Sequence, residues 1–426
     1  MDNKKNILVY ADWQEFEAPQ LIGVLHSFQS RGKEVFSFEY DNDWLDSPFA
    51  QEIDPDIKLF SGTQYLHEKK IGFGAFLDSA PDRWGRVLME RREVISARME
   101  NRSPRKLNES DYLLGVYDEL RMGGLRFKET ESGVFLNDNC DFATPPIASI
   151  SQLEQASYQL ENDSFKNDFE QWQALQMLLE PGSSLGGARP KAGVKDKDGS
   201  LWIAKFPSIG DTHDVGAWEM VVNELAQKAG LNIAQAKAKK IAGKHHTFLT
   251  KRFDRTTNGK RLHFASAMTL LGYTDGINSQ DGASYLELTR FISQKGANVN
   301  QDLKELFGRI VFSICVSNTD DHLRNHGFLL TQTGWTLSPA YDINPNPKGL
   351  GLKLNISAHD NSLDLNLATE VAHHFRLSDT QAKEIISNTI KVVSKWQSVA
   401  KKHKISTEEQ RRMSEAFRRN FANEKM

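Results

Sequence analysis

Three oxygen-bearing side chains stand close together late in this chain, in SNTDDHLRNHGFLLTQTGWTLSPAYDINP (317–345): Asp320, Asn325 and Asp342. The order D-x-x-x-x-N, followed by an aspartate after an apolar hairpin, is the order that phosphoryl transfer from a magnesium-bound triphosphate requires. One carboxylate can take a proton from an acceptor hydroxyl, while a carboxamide oxygen and a second carboxylate are hard ligands suited to Mg2+. Asp320 is therefore the candidate base, and Asn325 and Asp342 are the candidate metal ligands. His322 and Arg324 lie between them, with donors able to reach phosphate or to fix the loop.

Such chemistry also needs an anion cradle and a cation on the phosphates, and two upstream segments offer them. In GSSLGGARPKAGVK (182–195), the three glycines and three small residues of its first seven positions let the backbone approach an anion, with successive N–H groups forming a nest. Gly186, Gly187, Ala188, Arg189, Pro190 and Lys191 form that candidate phosphate loop. It is neither a Walker A loop nor G-x-G-x-x-G. An ordinary turn explains a bare glycine-rich loop equally well, and only its place before a β-hairpin favours the functional reading. Lys205 ends the apolar run LWIAKFP, where a lysine is costly to bury unless it meets a fixed anion. Glu219 on the next helix is the side chain that would orient it. The bland alternative is a strand-end lysine reaching water. KRFDR (251–255) closes a strand, where main-chain groups of Lys251, Arg252 and Phe253 could hold an adenine edge with Phe253 lining its pocket. Alone, that phenylalanine reads as core.

The surrounding elements follow from periodicity. ILVY (7–10) and EVFSFEY (34–40) read as strands. A helix is predicted from Pro81, behind Asp78 and Ser79. A boundary is predicted in the polar stretch 132–149, followed by helices near 151–160 and 168–179. KAGVK (191–195), the turn DKDG and SLWIAKF (200–206) predict a hairpin. A helix over about 214–229 ends at Gly230, followed by strands in IAQAKAKKI and HTFLTKRF. Beyond about 283 the chain reads as helical, broken by 317–357. The predicted class is α+β: a two-lobed protein-kinase-like fold with an extra N-terminal α/β domain. The divisions are 1–145, a small lobe over 146–255 and a large lobe over 256–426.

Bulk properties agree with an ordinary globular protein. A net charge of −3 over 426 residues argues against a wholesale polyanion binder. Two cysteines, Cys140 and Cys315, lack metal-ligand spacing and exclude a disulfide scaffold. The first apolar run is too short for a signal peptide, and no stretch approaches the roughly 20 apolar residues of a membrane span. The expected location is the cytoplasm.

Taken together, SSLGGARPK, WIAKFP, KRFDR, NTDDHLRN and SPAYDINP, in this order, resemble the HipA family of serine/threonine kinases, the toxins of HipBA-type toxin–antitoxin pairs. The resemblance continues through IGVL (22–25), FLDSAPDRWGRVLM (76–89) and LLGVYDELRMGGLRF (113–127). It implies ATP and Mg2+ as cofactors, Asp320 as the catalytic aspartate, Asn325 and Asp342 as magnesium ligands, and Lys205 as the phosphate lysine. It also implies an adenine hinge at 251–253 and places Tyr341 in the ATP-binding set. Ser184, or its neighbour Ser183, matches a serine whose autophosphorylation in relatives expels the loop and switches the kinase off. A phosphate adds about −1.5 to −2 charges, which repel nucleotide phosphates from the same nest. Lys251 departs from the glutamate of the best-known relative, a change that leaves backbone contacts intact. The implied partners are a protein substrate, aminoacyl-tRNA synthetases among them, and a small HipB-like helix-turn-helix antitoxin through which alone DNA would be met.

Other readings were weighed. Metal-dependent hydrolysis would use Asp320, Asp321, His322 and Asp342 but leaves Lys205 and the glycine-rich loop without a role. A kinase of a small-molecule acceptor, or a silent antitoxin- and DNA-binding regulator, would keep the same motifs. The pairs His245–His246 and His373–His374 are expected to diverge rather than chelate, the basic runs to be solvated faces, and Trp84 and Trp172 to be core.

Overall fold

Ile7, Val9 and Ala11 alternate with more exposed neighbours, and that period of two lays down the first sheet of the protein. The computed structural model describes residues 4–138, 144–178 and 189–418. Through residue 205 the strands are β1 (Lys5–Ala11), β2 (Gln20–Ser30), β3 (Lys33–Tyr40), β4 (Gln64–Tyr65), β5 (Leu125–Lys128), β6 (Lys191–Lys195) and β7 (Leu201–Lys205). The helices in that span are α1 (Asn42–Leu45), α2 (Gly74–Asp78), α3 (Arg83–Met99), α4 (Glu109–Leu114), α5 (Ile150–Asn162) and α6 (Asp168–Leu178). Then follow α7 (Val215–Ala229), β8 (Ala236–Lys240), β9 (His246–Lys251), β10 (Phe264–Ser266) and α8 (Ala267–Leu270). Next come α9 (Tyr285–Lys295), α10 (Val299–Val316), β11 (Gly327–Thr331) and β12 (Gly334–Leu337). The chain ends in α11 (Leu365–Val371), α12 (Asp379–Val393), α13 (Trp396–Lys402), α14 (Thr407–Met413) and α15 (Glu415–Arg418).

These elements pack as two compact units, one of residues 1–209 with 251–274 and the other of 210–250 with 275–426. In the first, β1 to β5 form a five-stranded antiparallel sheet in the order β4–β3–β2–β1–β5. Gly23 is required there, because a Cβ would overlap the Glu39 carbonyl of the neighbouring strand. The predicted hairpin is present, β6 pairing antiparallel with β7 and placing Lys191 opposite Lys205. The helix predicted from Pro81 begins two residues later. Asp82 is its cap, accepting the Gly85 N–H at 2.9 Å, while Asp78 instead accepts from the N–H and hydroxyl of Ser266. Trp84 is buried as expected, whereas Trp172 is only half-buried. A buried arginine network also ties this unit: the Asp254 carboxylate accepts from Arg252, Arg255 and the Gly123 N–H. The guanidinium groups hold Asp254 well below the usual carboxylate range although burial alone would raise it.

In the second unit α7 has the predicted limits. Asp214 caps Ala217 N, Gly230 closes the helix in the left-handed region at φ 91°, and β8 pairs antiparallel with β9. Gly216 lets α7 approach the His246 carbonyl, which a side chain would overlap. From Leu306 to Val316 every residue of α10 is buried, so the helix forms the spine of the unit. Trp218 on α7, Trp396 on α13 and Phe417 on α15 build a ring cluster, the last two stacked at 4.6 Å. His373 and His374 do not diverge: they sit in a short 3-10 turn with ring centroids 4.0 Å apart. Among the described residues no helix is long and apolar enough to cross a membrane.

His263, buried in the first unit and stacked on Trp13 at 4.8 Å, is pushed down to about 3 by desolvation. It is therefore neutral when folded but takes a proton below about 6.5 when unfolded, so its contribution to stability is present above that pH and lost as pH falls toward 3. Asp54, pushed up to about 6 mainly by burial, has the opposite sign, losing its contribution as pH rises through that value. Comparison with His263→Phe isolates the histidine. Urea unfolding of both proteins at pH 6.5 and pH 5 should shift in favour of the variant by about 1–2 kcal/mol at the lower pH. An unchanged difference would place the histidine elsewhere than in this stack.

Candidate active site

Helix α10 ends at Ser317, whose φ of 51° reverses the chain and whose hydroxyl donates to the Ala416 carbonyl at 2.8 Å. The next turn carries the two adjacent aspartates in opposite directions. Asp321 is 5% exposed and accepts from the Tyr285 hydroxyl at 2.6 Å and the Ser313 hydroxyl at 3.4 Å, with His326 Nε2 at 3.1 Å. Burial alone would raise its pKa, but His326, Tyr285 and His322 outweigh it and hold Asp321 below the ordinary carboxylate range. Asp320 is exposed. Asn325, in a 3-10 turn over Leu323–Asn325, donates through Nδ2 to the Asp320 carbonyl at 3.0 Å, which closes the loop between the base candidate and the ligand candidate. Its other end, Oδ1, is buried and accepts no hydrogen bond from the protein.

The hairpin β11–β12 then returns the chain, in the register Phe328↔Leu337 to Thr331↔Gly334. Asp302 of α10 accepts from Leu337 N and the Thr336 hydroxyl, both at 3.2 Å, so the second strand is fixed to the spine. Arg309 donates to the Ser338 carbonyl at 2.7 Å. Ala340 is held on both sides, donating to Asn232 O at 2.7 Å and accepting from Ala234 N at 3.0 Å. Four further bonds lace this return segment to the first. Tyr341 Oη donates to Arg324 O at 2.6 Å, Asn344 N to Asn318 Oδ1 at 3.1 Å, Asn346 N to Ser317 O at 3.1 Å, and Asn346 Nδ2 to Thr319 Oγ1 at 2.8 Å. Asp320 lies within the laced span on one side, with Asn325 directly after that span, and Asp342 lies within the span on the other. Asp342 has φ 57°, a left-handed conformation that aspartate tolerates better than most residues. Arg324, half-buried, has its guanidinium 3.3 Å from Asp275.

Glu219 and Asn223, one turn apart on α7, line a small cleft together with Phe248, Tyr341 and Asp342. The predicted supporting glutamate and one predicted metal ligand therefore share a surface. Asn223 donates to Ala234 O at 3.0 Å, and its Oδ1 likewise accepts nothing from the protein. A magnesium ion implied for this site would find oxygen donors in the Asp342 carboxylate and in the buried amide oxygens of Asn325 and Asn344, which accept no hydrogen bond from the protein. The hydrolase reading fares worse. It needs Asp321 as a ligand, yet that carboxylate is engaged by Tyr285 and His326. No group of three or more His, Cys, Asp or Glu among the described residues is placed to hold a metal.

The other candidates belong to the first unit. Lys205 ends β7 half-buried. Lys191, placed in the candidate phosphate loop, has its side chain turned elsewhere: at 2% exposure its ammonium lies 2.7 Å from the Asp82 carboxylate, and its carbonyl accepts the Trp84 indole N–H at 3.1 Å. Pro190 accepts the Phe206 N–H at 2.9 Å, and Arg189 precedes it half-buried. Arg252 gives its N–H to Leu201 O at 2.9 Å and its guanidinium to Asp254 and the Leu120 carbonyl. The Lys251 ammonium lies 4.0 Å from Asp198, and the Phe253 ring lies 6.1 Å from Phe264. Ser183, Ser184, Gly186, Gly187 and Ala188 lie outside the described residues. Sequence reasoning missed Asn318, Asn344, Asn223, Tyr285 and His326. Asn344 had one faint signal, its place two residues after the candidate ligand in YDINP.

The family model described as HipA-like C-terminal domain matches residues 183–396. A Haemophilus influenzae protein named "Putative kinase" is 25% identical over 190 residues, 40% of this chain and 55% of that protein. The chain thus spans about half the length of that curated relative. A chain in the solved complex of the Shewanella oneidensis MR-1 toxin–antitoxin system (HipA, HipB and operator DNA) superposes with a TM-score of 0.65 at 17% identity. The match covers 96% of this chain and 94% of the other, a likeness of fold.

The two aspartates should separate by stability. Asp321→Asn leaves the Tyr285 and His326 groups facing a neutral amide in a buried site and should cost about 3 kcal/mol. Asp320→Asn, on an exposed residue, should stay within about 0.5 kcal/mol of wild type. Urea denaturation of both variants checks this, and equal losses would mean that the inward and outward assignments are wrong.

Proposed function

Since the chain belongs to the family defined by the HipA-like C-terminal domain, we propose that it is a HipA-type kinase moving the γ-phosphoryl group of ATP to a serine or threonine hydroxyl of a protein. The observation that carries this reading is the laced pair of segments, which sets an exposed carboxylate beside buried oxygens that accept no hydrogen bond. In the proposed roles, Asp320 accepts the hydroxyl proton as the acceptor oxygen attacks. Asn325 and Asp342 hold magnesium, which when bound neutralises charge on the phosphates. Tyr341 fixes the backbone between them through Arg324, and the donors of His322 and Arg324 are available to phosphate.

The remaining roles rest on the resemblance. Arg189, Pro190 and Lys205, with the glycine-rich loop, serve the phosphates. Backbone groups of Lys251 and Phe253 serve adenine, and Glu219 supports the phosphate lysine. The three-part division at 145 and 255 is proposed on the same ground. A HipB-like antitoxin partner is supported by the HipA and HipB named in the Shewanella complex, with operator DNA met through that partner. Growth inhibition, a cytoplasmic location and an aminoacyl-tRNA synthetase as substrate follow from the family alone. So does autophosphorylation on Ser184, with Ser183 the second choice.

Incubation with ATP and Mg2+ should produce ADP together with phosphate on protein. Asp320→Asn should lower the rate by about 10²–10⁴ while nucleotide affinity is retained. Mass spectrometry of the wild type should find phosphate at Ser184 or Ser183. Phosphate found only on a small-molecule acceptor would replace the protein-kinase reading. Full activity in Asp320→Asn would remove the base from its role.

A further inference from the structure

In the second unit three side-chain amides, those of Asn223, Asn325 and Asn344, hold buried oxygens that accept no hydrogen bond from the protein, and of the three it is Asn344 whose amide donates to Asp342. Asn325 already has a role in the kinase reading; Asn344 has none. Yet Asn344 is bonded to Asp342, its Nδ2 donating to Asp342 Oδ1 at 3.3 Å. The opposite orientation of the amide would set its oxygen against a carboxylate oxygen, so the donor end must face Asp342 and Oδ1 is the end left for another partner. The backbone at this point is fixed on both sides: Asn344 N–H is held by Asn318 Oδ1 at 3.1 Å, and Asn346 N–H by Ser317 O at 3.1 Å. Asn318 is itself 1% exposed and donates to the Ser313 hydroxyl at 3.3 Å, so the support does not yield easily.

A side chain serving only to orient Asp342 would use its N–H and have no reason to bury a bare acceptor, which native structures seldom tolerate. We infer that Asn344 Oδ1 is a further protein ligand of the divalent cation held by Asn325 and Asp342, so that this chain offers one carboxylate and two amide oxygens to the metal. The inference rests on the kinase reading of the site. An all-oxygen set with few carboxylates suits magnesium that arrives with a nucleotide, whose phosphate oxygens complete the sphere.

Manganese, a paramagnetic stand-in for magnesium, tests this without activity. The full chain is titrated with Mn2+ in the presence of a non-hydrolysable ATP analogue, and free Mn2+ is read by electron paramagnetic resonance. Asn344→Ala should weaken binding by about 10–100-fold, with unchanged metal-free melting. Asn344→Asp keeps an oxygen and loses the amide donor, so it should bind Mn2+ at least as tightly as wild type. If Asn344 only positioned Asp342, Asn344→Asp would set two carboxylates face to face and bind as weakly as Asn344→Ala or worse, and the inference would fall. Wild-type affinity in Asn344→Ala would overturn it too, as would an Asn344→Ala chain that does not fold accompanied by weak binding in Asn344→Asp. Loss of Mn2+ in Asp342→Asn with none in Asn344→Ala defeats this inference alone. No Mn2+ binding by the wild type defeats the kinase reading along with it.

Discussion

The Asp321 carboxylate, buried between the Tyr285 hydroxyl and the His326 ring, is the interaction on which the geometry of the site depends. An isolated carboxylate in such surroundings would take up a proton rather than stay charged. Here two close donors and a nearby histidine keep it ionised, and the charge then binds the loop to α9 and to its own downstream turn. Adjacent residues in a tight turn cannot both point inward. Anchoring Asp321 therefore holds Asp320 out toward solvent, where an acceptor hydroxyl can reach it. Asn325 completes the loop by holding the Asp320 carbonyl, so the proposed base is fixed from both flanks.

The second constraint is the spine. Because α10 is buried around almost its full circumference in its last three turns, it can serve as the reference for both segments that flank the site. Ser317 begins the first segment at its C-terminus. Asp302 and Arg309, from its N-terminal and middle turns, secure Leu337 and Ser338 of the second. The two segments are then stitched directly to one another by Tyr341, Asn344 and Asn346. A site built this way has its candidate groups on irregular backbone but its supports on a helix, which gives loop residues a fixed position.

Much of this was legible in the sequence because local chemistry wrote it there. The hairpin β6–β7 and the limits of α7 follow from turn and cap residues within a few positions. The spacing of Asp320, Asn325 and Asp342 survives as a laced structure. What was not legible depended on partners far along the chain. Nothing near Lys191 announces Asp82, 109 residues earlier, which draws the side chain of this loop lysine into a buried ion pair. Nothing near Asp321 announces Tyr285, and the sequence gives no reason to separate the roles of two neighbouring aspartates. The start of α3 was misjudged because Pro81 is a good first helical residue, but Asp82 has a second task with Lys191 that favours it as the cap. Asn344 was invisible for another reason: an asparagine followed by proline reads as a turn, and only burial of its oxygen separates it from one.

The composition of the oxygen cluster bears on how such a site would work. A permanent cage for a divalent cation gathers several carboxylates, since magnesium sheds its water reluctantly and needs compensating charge. The proposed ligand set joins amides to one carboxylate, Asp342. Amide oxygens are neutral, so they supply directed donors while leaving most of the cation's charge uncompensated. The missing negative charge is what a triphosphate carries. On the proposed kinase reading, a site of this kind would be weak for the free ion and strong for the ion together with its nucleotide, and the two binding events would reinforce each other. Exposed Asp320 then remains the negative group outside the cluster, close enough through Asn325 to be positioned by it, yet not drawn into the coordination sphere where its basicity would be lost.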